Sequence, residues 1–232
     1  MRKYSTLLFD VDGTLLDFEK TKERALGETL IANGIAYSND LLGKFSVIET
    51  KLWSSFERGE LTKDFILVNR FKRLFEEINE IRDYEKFEIQ YQKQLGQYAD
   101  LIEDAYCVCQ TLSKDYDLHI ITNGVSRTQQ TRLEISGLNP FFKNVFISDD
   151  IGYAKPRKEF FDYVINHIKP IKKEEILIIG DSLTSDILGG INSGIDTCLI
   201  NQFNTENYTN IQPKYEISKL TDLYLLLEIS NG

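Results

Sequence analysis

The sequence is poor in the residues that build disulfide frameworks and histidine-based metal sites. Its 232 residues include three cysteines and two histidines. An odd, sparse set of cysteines is typical of a protein from a reducing cytosol, and Cys107 and Cys109 stand too close together for the usual metal-binding pair. His119 and His167 lack the spacing of metal ligands. We therefore expect a cytoplasmic protein without a disulfide framework and without histidine chemistry.

Positive charge is also scarce. The chain has 27 lysines and arginines against 36 aspartates and glutamates, which gives a formal net charge of -9 and a pI near 4.9. Proteins that bind nucleic-acid polymers or anionic membranes need basic surfaces, so this balance argues against both partners. An acidic protein that binds a phosphate must supply local positive charge at the binding site.

Apolar runs of membrane-spanning length are absent as well. The first residues lead directly into a strand pattern, without the charged and apolar regions of a signal peptide. The composition, 42% hydrophobic and 27% charged, is ordinary for a soluble globular protein. The length allows one large domain or a domain with an insertion.

Two carboxylates follow the first predicted strand. Thr6–Phe9 is an apolar run typical of a buried strand, and Asp10 and Asp12 come directly after it, before Gly13. Because residues two positions apart on an extended chain face the same side, these carboxylates repel each other unless something holds them there. Hard divalent cations prefer oxygen ligands, which favours a metal site. The alternative is a polar strand end with a turn at Asp12 and Gly13.

The segment after this strand has the periodicity of helices. Apolar residues recur every three or four positions, which is typical of amphipathic helices. Asn39-Asp40, Thr62 and Asp83 are suited to begin helices, because their side chains accept hydrogen bonds from free backbone N–H groups. We predict an all-helical domain over residues 17–100, inserted between two parts of one core, 1–16 and 101–232.

From residue 101 onward, helix and strand patterns alternate. Such alternation is typical of a parallel sheet with helices on both faces. The polar stretch from Asn201 to Pro213 indicates a surface loop, and Leu220 to Ile229 predicts a terminal helix. We expect an α/β fold with a Rossmann-like parallel sheet as its core. The predicted strands are Thr6–Phe9, Asp117–Thr122, Asn144–Ser148, Ile176–Gly180 and Thr197–Ile200.

Polar clusters stand at the ends of these strands or in the loops that follow them. In open α/β sheets, ligands bind beyond the carboxyl ends of the strands, so the clusters are candidates for one site. Taken singly, each has a plainer explanation as a turn, a surface lysine or a helix cap. Their common position along one predicted sheet favours a site. The clusters are Asp10 and Asp12, then Thr122, Asn123 and Gly124, then Lys155, and finally Asp181 and Asp186.

As an ordered set, these clusters resemble the four motifs of the haloacid dehalogenase (HAD) superfamily. The resemblance covers the whole predicted core, and the helical insertion stands where that superfamily carries its C1-type cap. It implies a HAD-like core with an inserted all-helical cap domain. The matching residues are Asp10-x-Asp12-Gly13-Thr14, Thr122-Asn123-Gly124, Lys155-Pro156, and Gly180-Asp181 with Asp186.

The resemblance also implies a reaction. Asp10 would be the nucleophile, attacking phosphorus to form an aspartyl-phosphate. Asp12 would be the general acid that protonates the leaving oxygen, and then the base for the water that cleaves the intermediate. Thr122, with the backbone of Asn123 and Gly124, would bind the phosphoryl oxygens. The expected substrate is a small phosphorylated metabolite.

The same resemblance implies a Mg²⁺ ion. It would be bound by Asp10, by the main-chain carbonyl of Asp12 and by Asp181, with Asp186 orienting these ligands or holding a metal-bound water. Lys155 would offset the carboxylate charge and contact the phosphoryl group. Compensation of this kind is needed, because one like-charge pair at about 4 Å costs roughly 4 kcal/mol at an effective dielectric constant near 20.

The acid at the second position narrows the chemistry within the superfamily. Dehalogenase members lack an acid there, because a halide leaves without protonation. Asp12 therefore favours phosphoryl transfer. It does not separate a phosphatase from a phosphomutase of the same fold. A non-catalytic, ligand-sensing relative is the third alternative, against which the intact set of carboxylates argues.

Further local strings resemble the branch that holds bacterial pyrimidine and other nucleoside 5′-monophosphate phosphatases. They include Gln129, Arg132-Leu133, Ser136-Gly137-Leu138 and the stretch from Asp186 to Gly194. The resemblance implies a nucleoside monophosphate as substrate and leaves open whether the protein is a monomer or a homodimer. In the helical insertion, Trp53, Phe56 and Arg70 are candidates for substrate contact. The alternative is that the aromatic residues are core and that Arg70 is a solvated charge.

Overall fold

The chain forms two compact units in the computed structural model, which describes residues 3–229. Of the described residues, one unit comprises those up to Phe18 and from Ala99 onward, and the other comprises Glu19–Tyr98. The helices of the described residues, in chain order, are α1 (Phe18–Ala32), α2 (Asn39–Glu57), α3 (Lys63–Glu77), α4 (Tyr84–Leu95), α5 (Ala105–Leu112), α6 (Ser126–Ser136), α7 (Ser148–Ile151), α8 (Lys158–His167), α9 (Leu188–Ser193) and α10 (Asp222–Leu226).

The first unit is built on one parallel sheet, which confirms the predicted α/β fold. Its strands are β1 (Thr6–Phe9), β2 (Asp117–Thr122), β3 (Asn144–Ile147), β4 (Ile176–Gly180), β5 (Asp196–Ile200) and β6 (Tyr215–Ile217). Its strand order is β3-β2-β1-β4-β5-β6, and every pairing is parallel. The strand β1 lies between β2 and β4, so the carboxyl ends of these three strands meet at one place on the sheet edge.

Both faces of the sheet are covered, which explains why its strands are apolar throughout. Leu7 and Phe9 of β1 belong to one buried cluster, together with Ile179 of β4. Leu8 points to the other face and joins a second cluster with Ile178. Side chains of a strand alternate between its two faces, so a strand buried on both faces has no polar alternation.

The C-terminal part differs from the sequence prediction. Sequence patterning missed β6, and the predicted terminal helix over Leu220–Ile229 is wrong in extent, since α10 covers five residues. The Asp222 carboxylate accepts hydrogen bonds from the backbone N–H groups of Ser218 and Lys219, which fixes where the helix begins. At the other end, Glu228 has a φ of 54° and leaves the helical conformation. No helix of residues 3–229 combines the length and apolarity that crossing a bilayer requires.

The second unit is all-helical, and two of its helices begin at the predicted caps. The predicted cap Asn39-Asp40 is wrong, because Ser38 caps α2 by accepting a hydrogen bond from the Leu41 N–H at 3.2 Å. The Thr62 hydroxyl accepts a hydrogen bond from the Phe65 N–H at 3.2 Å, and the Asp83 carboxylate accepts one from the Lys86 N–H at 3.0 Å. An aromatic cluster fills the interior: the rings of Phe45 and Phe71 stack with centroids 4.9 Å apart, and Tyr91 meets both of them edge-on. Trp53 and Phe56 pack against each other at 5.5 Å.

Arg70 lies inside this helical unit and is 2% exposed. Its guanidinium donates to Glu49 at 2.5 Å and to both oxygens of Glu88 at 2.5 and 2.7 Å. Gln92 also donates to Glu88, at 2.9 Å. Burial raises the pKa of Glu49, and the nearby Arg70 opposes that shift. Arg70 is therefore neither a solvated charge nor open to a ligand; it balances two buried carboxylates.

We expect Arg70→Met to lower the free energy of unfolding of the helical unit by about 3–5 kcal/mol, because it leaves two buried carboxylates without their cation. The fluorescence of Trp53, the single tryptophan, reports this unit in a urea titration. Arg82→Met is the matched control: Arg82 is exposed and pairs with Glu80 on the surface, so its effect should stay within about 0.5 kcal/mol. Equal effects of the two substitutions would contradict the prediction.

Candidate active site

Three neighbouring strands deliver the predicted site residues to one edge of the sheet. Asp10 directly follows β1, and its N–H continues the strand ladder by donating to the Ile179 carbonyl at 2.9 Å. Thr122 is the last residue of β2, and Asp181 directly follows β4. Asp186 lies on a π-helical turn after β4. This is the strand-end position at which open α/β sheets bind ligands.

Three carboxylates converge there around one lysine. Ligand oxygens of Asp10, Asp181 and Asp186 all lie within 4.8 Å of one another. The Lys155 ammonium donates to Asp10 at 2.6 Å, to Asp186 at 2.6 Å and to the Ile121 carbonyl at 3.1 Å. Lys155 is 2% exposed and Asp186 is 0% exposed. The Lys155 ammonium is therefore held inside the protein by groups that come from separate parts of the chain.

Burial and crowding shift the pKa values of this cluster. Burial raises the pKa of Asp10 well above its usual range, and the neighbouring carboxylates of Asp186 and Asp181 add to the rise, while Lys155 opposes it. Asp181 is exposed as a residue, but protein atoms crowd its carboxylate, and desolvation and Asp186 raise its pKa to about 7. Burial alone would lower the pKa of Lys155, but Asp10 and Asp186 outweigh it and raise that pKa.

The cluster fits a divalent cation. All three candidate ligands are carboxylates, the donor type that Mg²⁺ prefers. Lys155 brings one positive charge against the three negative charges of Asp10, Asp181 and Asp186 in their ionised forms. Burial and the neighbouring carboxylates disfavour the ionised forms of Asp10 and Asp181 and raise their pKa values, and a bound cation would offset this effect. One oxygen of Asp186 faces Lys155 and the other accepts from the Ser182 N–H at 3.2 Å, which favours an orienting role for this residue.

Two glycines give the carboxylates the space they occupy. Gly13 has a φ of 79°, and a Cβ atom there would lie 2.2 Å from the Asp181 carboxylate. A Cβ atom at Gly180 would lie 2.2 Å from the carboxylate of Asp186. Both distances are far inside van der Waals contact. The sequence therefore needs glycine at these positions for the acids to approach one another.

The residues after β2 form a second wall of the site. The Asn123 side chain binds the backbone of Lys155 twice, donating to its carbonyl and accepting from its N–H, each at 3.0 Å. Asn123 thereby fixes the loop that carries the lysine. The Thr122 hydroxyl oxygen accepts from the N–H of Gly124 at 3.1 Å, which shapes the turn whose backbone was predicted to bind phosphoryl oxygens.

Asp12 lies in different surroundings from the other three acids. One of its oxygens accepts from Arg132 at 2.5 Å and the other accepts from Gln129 at 2.9 Å. Arg132 and Gln129 are each 1% exposed. Sequence analysis noted both residues as part of strings that resemble the nucleotidase branch, but it gave neither a role in the site. The available signal was their position on α6, the helix that directly follows the Thr122 strand, where polar side chains three residues apart share one helix face.

Comparisons with known proteins agree with this architecture. The family model of the haloacid dehalogenase-like hydrolases matches residues 4–194. HAD-hydrolase YfnB of Bacillus subtilis is 43% identical over 231 residues, 100% of this chain and 98% of that protein. Pyrimidine 5′-nucleotidase PynA of Streptococcus pneumoniae is 38% identical over 221 residues, 95% of this chain and 93% of that protein. A crystal structure of YfnB bound to magnesium matches with a TM-score of 0.94 at 43% identity, over 98% of this chain and 100% of that one.

The chain therefore belongs to the haloacid dehalogenase-like hydrolases. The family model spans most of the sequence, and the relatives match over nearly their whole length. The resemblance inferred from the four motifs is confirmed, and the protein is a hydrolase of this family.

Proposed function

We propose that the protein is a Mg²⁺-dependent phosphatase that hydrolyses small phosphate monoesters through an aspartyl-phosphate on Asp10. The observation that carries this proposal is the pairing of Asp10 with a buried lysine, beside a second acid held separately. Lys155 contacts Asp10 at 2.6 Å, while Asp12 is bound by Arg132 and Gln129. Two acids in different environments are suited to two different roles.

In the first step, a carboxylate oxygen of Asp10 forms a bond to phosphorus while the bond from phosphorus to the ester oxygen breaks. Asp12 gives its proton to that leaving oxygen. Thr122 lies close enough to the Asp12 network, through Gln129 at 2.8 Å, to bind a phosphoryl oxygen beside the acid. Lys155 stabilises negative charge on the transferring group.

In the second step, Asp12 takes a proton from a water molecule, and the water oxygen attacks phosphorus. The bond between phosphorus and the Asp10 oxygen breaks, phosphate is released, and the free carboxylate returns. A phosphomutase would instead pass the phosphoryl group to a second hydroxyl of the sugar or its isomer. Nothing in the described site favours that acceptor over water.

Asp10 and Asp181, with the main-chain carbonyl of Asp12, are the residues we propose as Mg²⁺ ligands, and Asp186 orients them. A bound Mg²⁺ supplies charge neutralisation for the transferring phosphoryl group. The crystal structure of YfnB, whose sequence is 43% identical, is bound to magnesium, which supports magnesium as the metal.

We further propose a nucleoside 5′-monophosphate as the substrate class. The support is the 38% identity to a pyrimidine 5′-nucleotidase over 95% of this chain. The helical unit Glu19–Tyr98 is proposed as the cap domain that the motif resemblance implies. The sparse cysteines remain the basis for placing the enzyme in the cytoplasm.

The test is release of inorganic phosphate from a panel of pyrimidine and purine nucleoside monophosphates and sugar phosphates, with Mg²⁺ and with EDTA. We expect turnover with Mg²⁺, pyrimidine nucleotides as the best substrates, and loss of turnover in EDTA that added Mg²⁺ restores. Phosphate release that is equal in EDTA would exclude the metal. Isomerised product without free phosphate would indicate a mutase, and inertness on the entire panel would favour the ligand-sensing alternative.

A further inference from the structure

We propose that Arg132 and Gln129 are positioning residues that hold the Asp12 carboxylate where it exchanges protons in both steps of the reaction. The inference rests on the proposed function, because it concerns the acid and base of that reaction. It goes beyond the superfamily motifs, since neither residue belongs to them.

The contact geometry restricts both oxygens of Asp12. Arg132 Nη1 donates to Oδ1 at 2.5 Å and Gln129 Nε2 donates to Oδ2 at 2.9 Å. The Asp12 side chain is 29% exposed, whereas that of Arg132 is 1% exposed. An exposed aspartate on a loop samples several rotamers. Two donors from one buried helix face restrict it to a single orientation.

Gln129 has a fixed amide orientation of its own. Its Oε1 accepts from Arg132 Nη1 at 2.9 Å, so its Nε2 must face the opposite side. There Nε2 donates both to Asp12 and to the Thr122 hydroxyl, the latter at 2.8 Å. The amide therefore connects the acid with the residue proposed to bind the phosphoryl group. A shift of α6 would move both together.

Arg132 is held from a second direction. Its guanidinium carbon lies 5.6 Å from the centroid of the Phe18 ring, within the range of a cation–π contact. Burial of this guanidinium makes its pairing with Asp12 less screened by solvent than a surface pair. The planar arginine fork also fixes direction in a way that a lysine does not.

Burst kinetics with p-nitrophenyl phosphate separate this role from a purely structural one. Nitrophenolate leaves without a proton, so the first step needs no acid, whereas the second step still needs Asp12 as base. We expect Arg132→Met to keep a rapid burst of nitrophenolate of nearly one equivalent per enzyme. Its later steady-state rate should fall about 100-fold, within the range that a positioned proton-transfer group contributes.

A nucleoside 5′-monophosphate, which is itself an alkyl phosphate monoester, should behave differently. Its leaving oxygen needs the proton, so Arg132→Met should slow the first step itself by about 100-fold and show no burst of nucleoside. KM should change little, because Arg132 contacts Asp12 rather than the substrate. Arg132→Lys, which keeps one charged donor, should recover part of the loss. Gln129→Leu should show the same pattern with a smaller effect.

Arg127→Met is the control, since Arg127 is on the same helix and exposed; it should behave as wild type.

The Asp12→Asn variant distinguishes a failure of the proposed function from a failure of the positioning role of Arg132 and Gln129. If Asp12→Asn turns over nucleotides like the wild type, or if the wild type releases no nitrophenolate, the proposed function fails. If Asp12→Asn keeps the burst with slow turnover but Arg132→Met and Gln129→Leu match the wild type, only the positioning role fails. Loss of the nitrophenolate burst in both Arg132→Met and Gln129→Leu, with melting temperatures unchanged, would also overturn the positioning role.

Discussion

Asp10→Asn is expected to reduce turnover by about 10⁴-fold or more, the range seen when a nucleophile is removed from a unit of cooperating residues. The amide is nearly isosteric with the carboxylate but is a far poorer nucleophile toward phosphorus. The substitution should leave the fold intact, because Lys155 retains its contact with Asp186 at 2.6 Å.

The measurement for Asp10→Asn is single-turnover phosphate release, combined with acid-stable trapping of phosphorylated protein. Wild type should show a transient phosphoprotein and the variant none. Asp162→Asn is the control, because Asp162 forms a surface ion pair with Lys158 on α8 and should retain wild-type turnover. Wild-type turnover in Asp10→Asn would remove this residue as the nucleophile and with it the covalent route.

Lys155→Met is expected to lower the free energy of unfolding by about 3–5 kcal/mol, because it removes the buried ammonium that pairs with Asp10 and Asp186. Turnover should also be lost, since the transferring phosphoryl group would no longer meet positive charge from this side. Denaturant unfolding in EDTA, followed by circular dichroism, measures the first effect, and the phosphate assay measures the second.

The destabilisation by Lys155→Met should depend on pH in a defined direction. The pKa values of Asp10 and Asp181 are raised in the folded state, to about 7 for Asp181. At pH values between the unfolded-state and the folded-state pKa of these two carboxyl groups, the folded protein binds more protons than the unfolded protein. Its stability therefore falls as pH rises through this window. Lys155 opposes the rise in the pKa of Asp10, so this pH window widens when the lysine is removed. The loss of folding stability in Lys155→Met should therefore be larger at pH 8 than at pH 5.

Two comparisons make this prediction specific. Lys158→Met removes an exposed lysine from α8 and should change stability by less than about 0.5 kcal/mol at either pH. The double variant Asp10→Asn/Lys155→Met should recover part of the stability, because one of the crowded carboxylates is gone. A loss in Lys155→Met that is small and independent of pH would contradict the electrostatic account of the cluster.

The sequence by itself determined the parts of this protein whose signals are local. A buried parallel strand is a short apolar run, and the chemistry placed at its carboxyl end follows directly in the chain, as Asp10 follows Phe9 and Asp181 follows Gly180. Helix starts at Thr62 and Asp83 were equally local, since a capping side chain bonds to N–H groups three residues ahead. Motif order then indicated the family, and the comparisons confirmed it.

Only the tertiary structure decided which distant side chains meet. Arg132 contacts Asp12 across a sequence separation of 120 residues, and Gln129 contacts it across 117. The periodicity of apolar residues does not predict such pairings. Arg70 was equally ambiguous in the sequence until the fold placed Glu49 and Glu88 beside it. The three-residue strand β6 exists because β5 offers an open edge, while its own sequence is too short to carry a strand pattern. Long-range contacts are set by how the elements pack, and packing is not encoded in any single stretch of the chain.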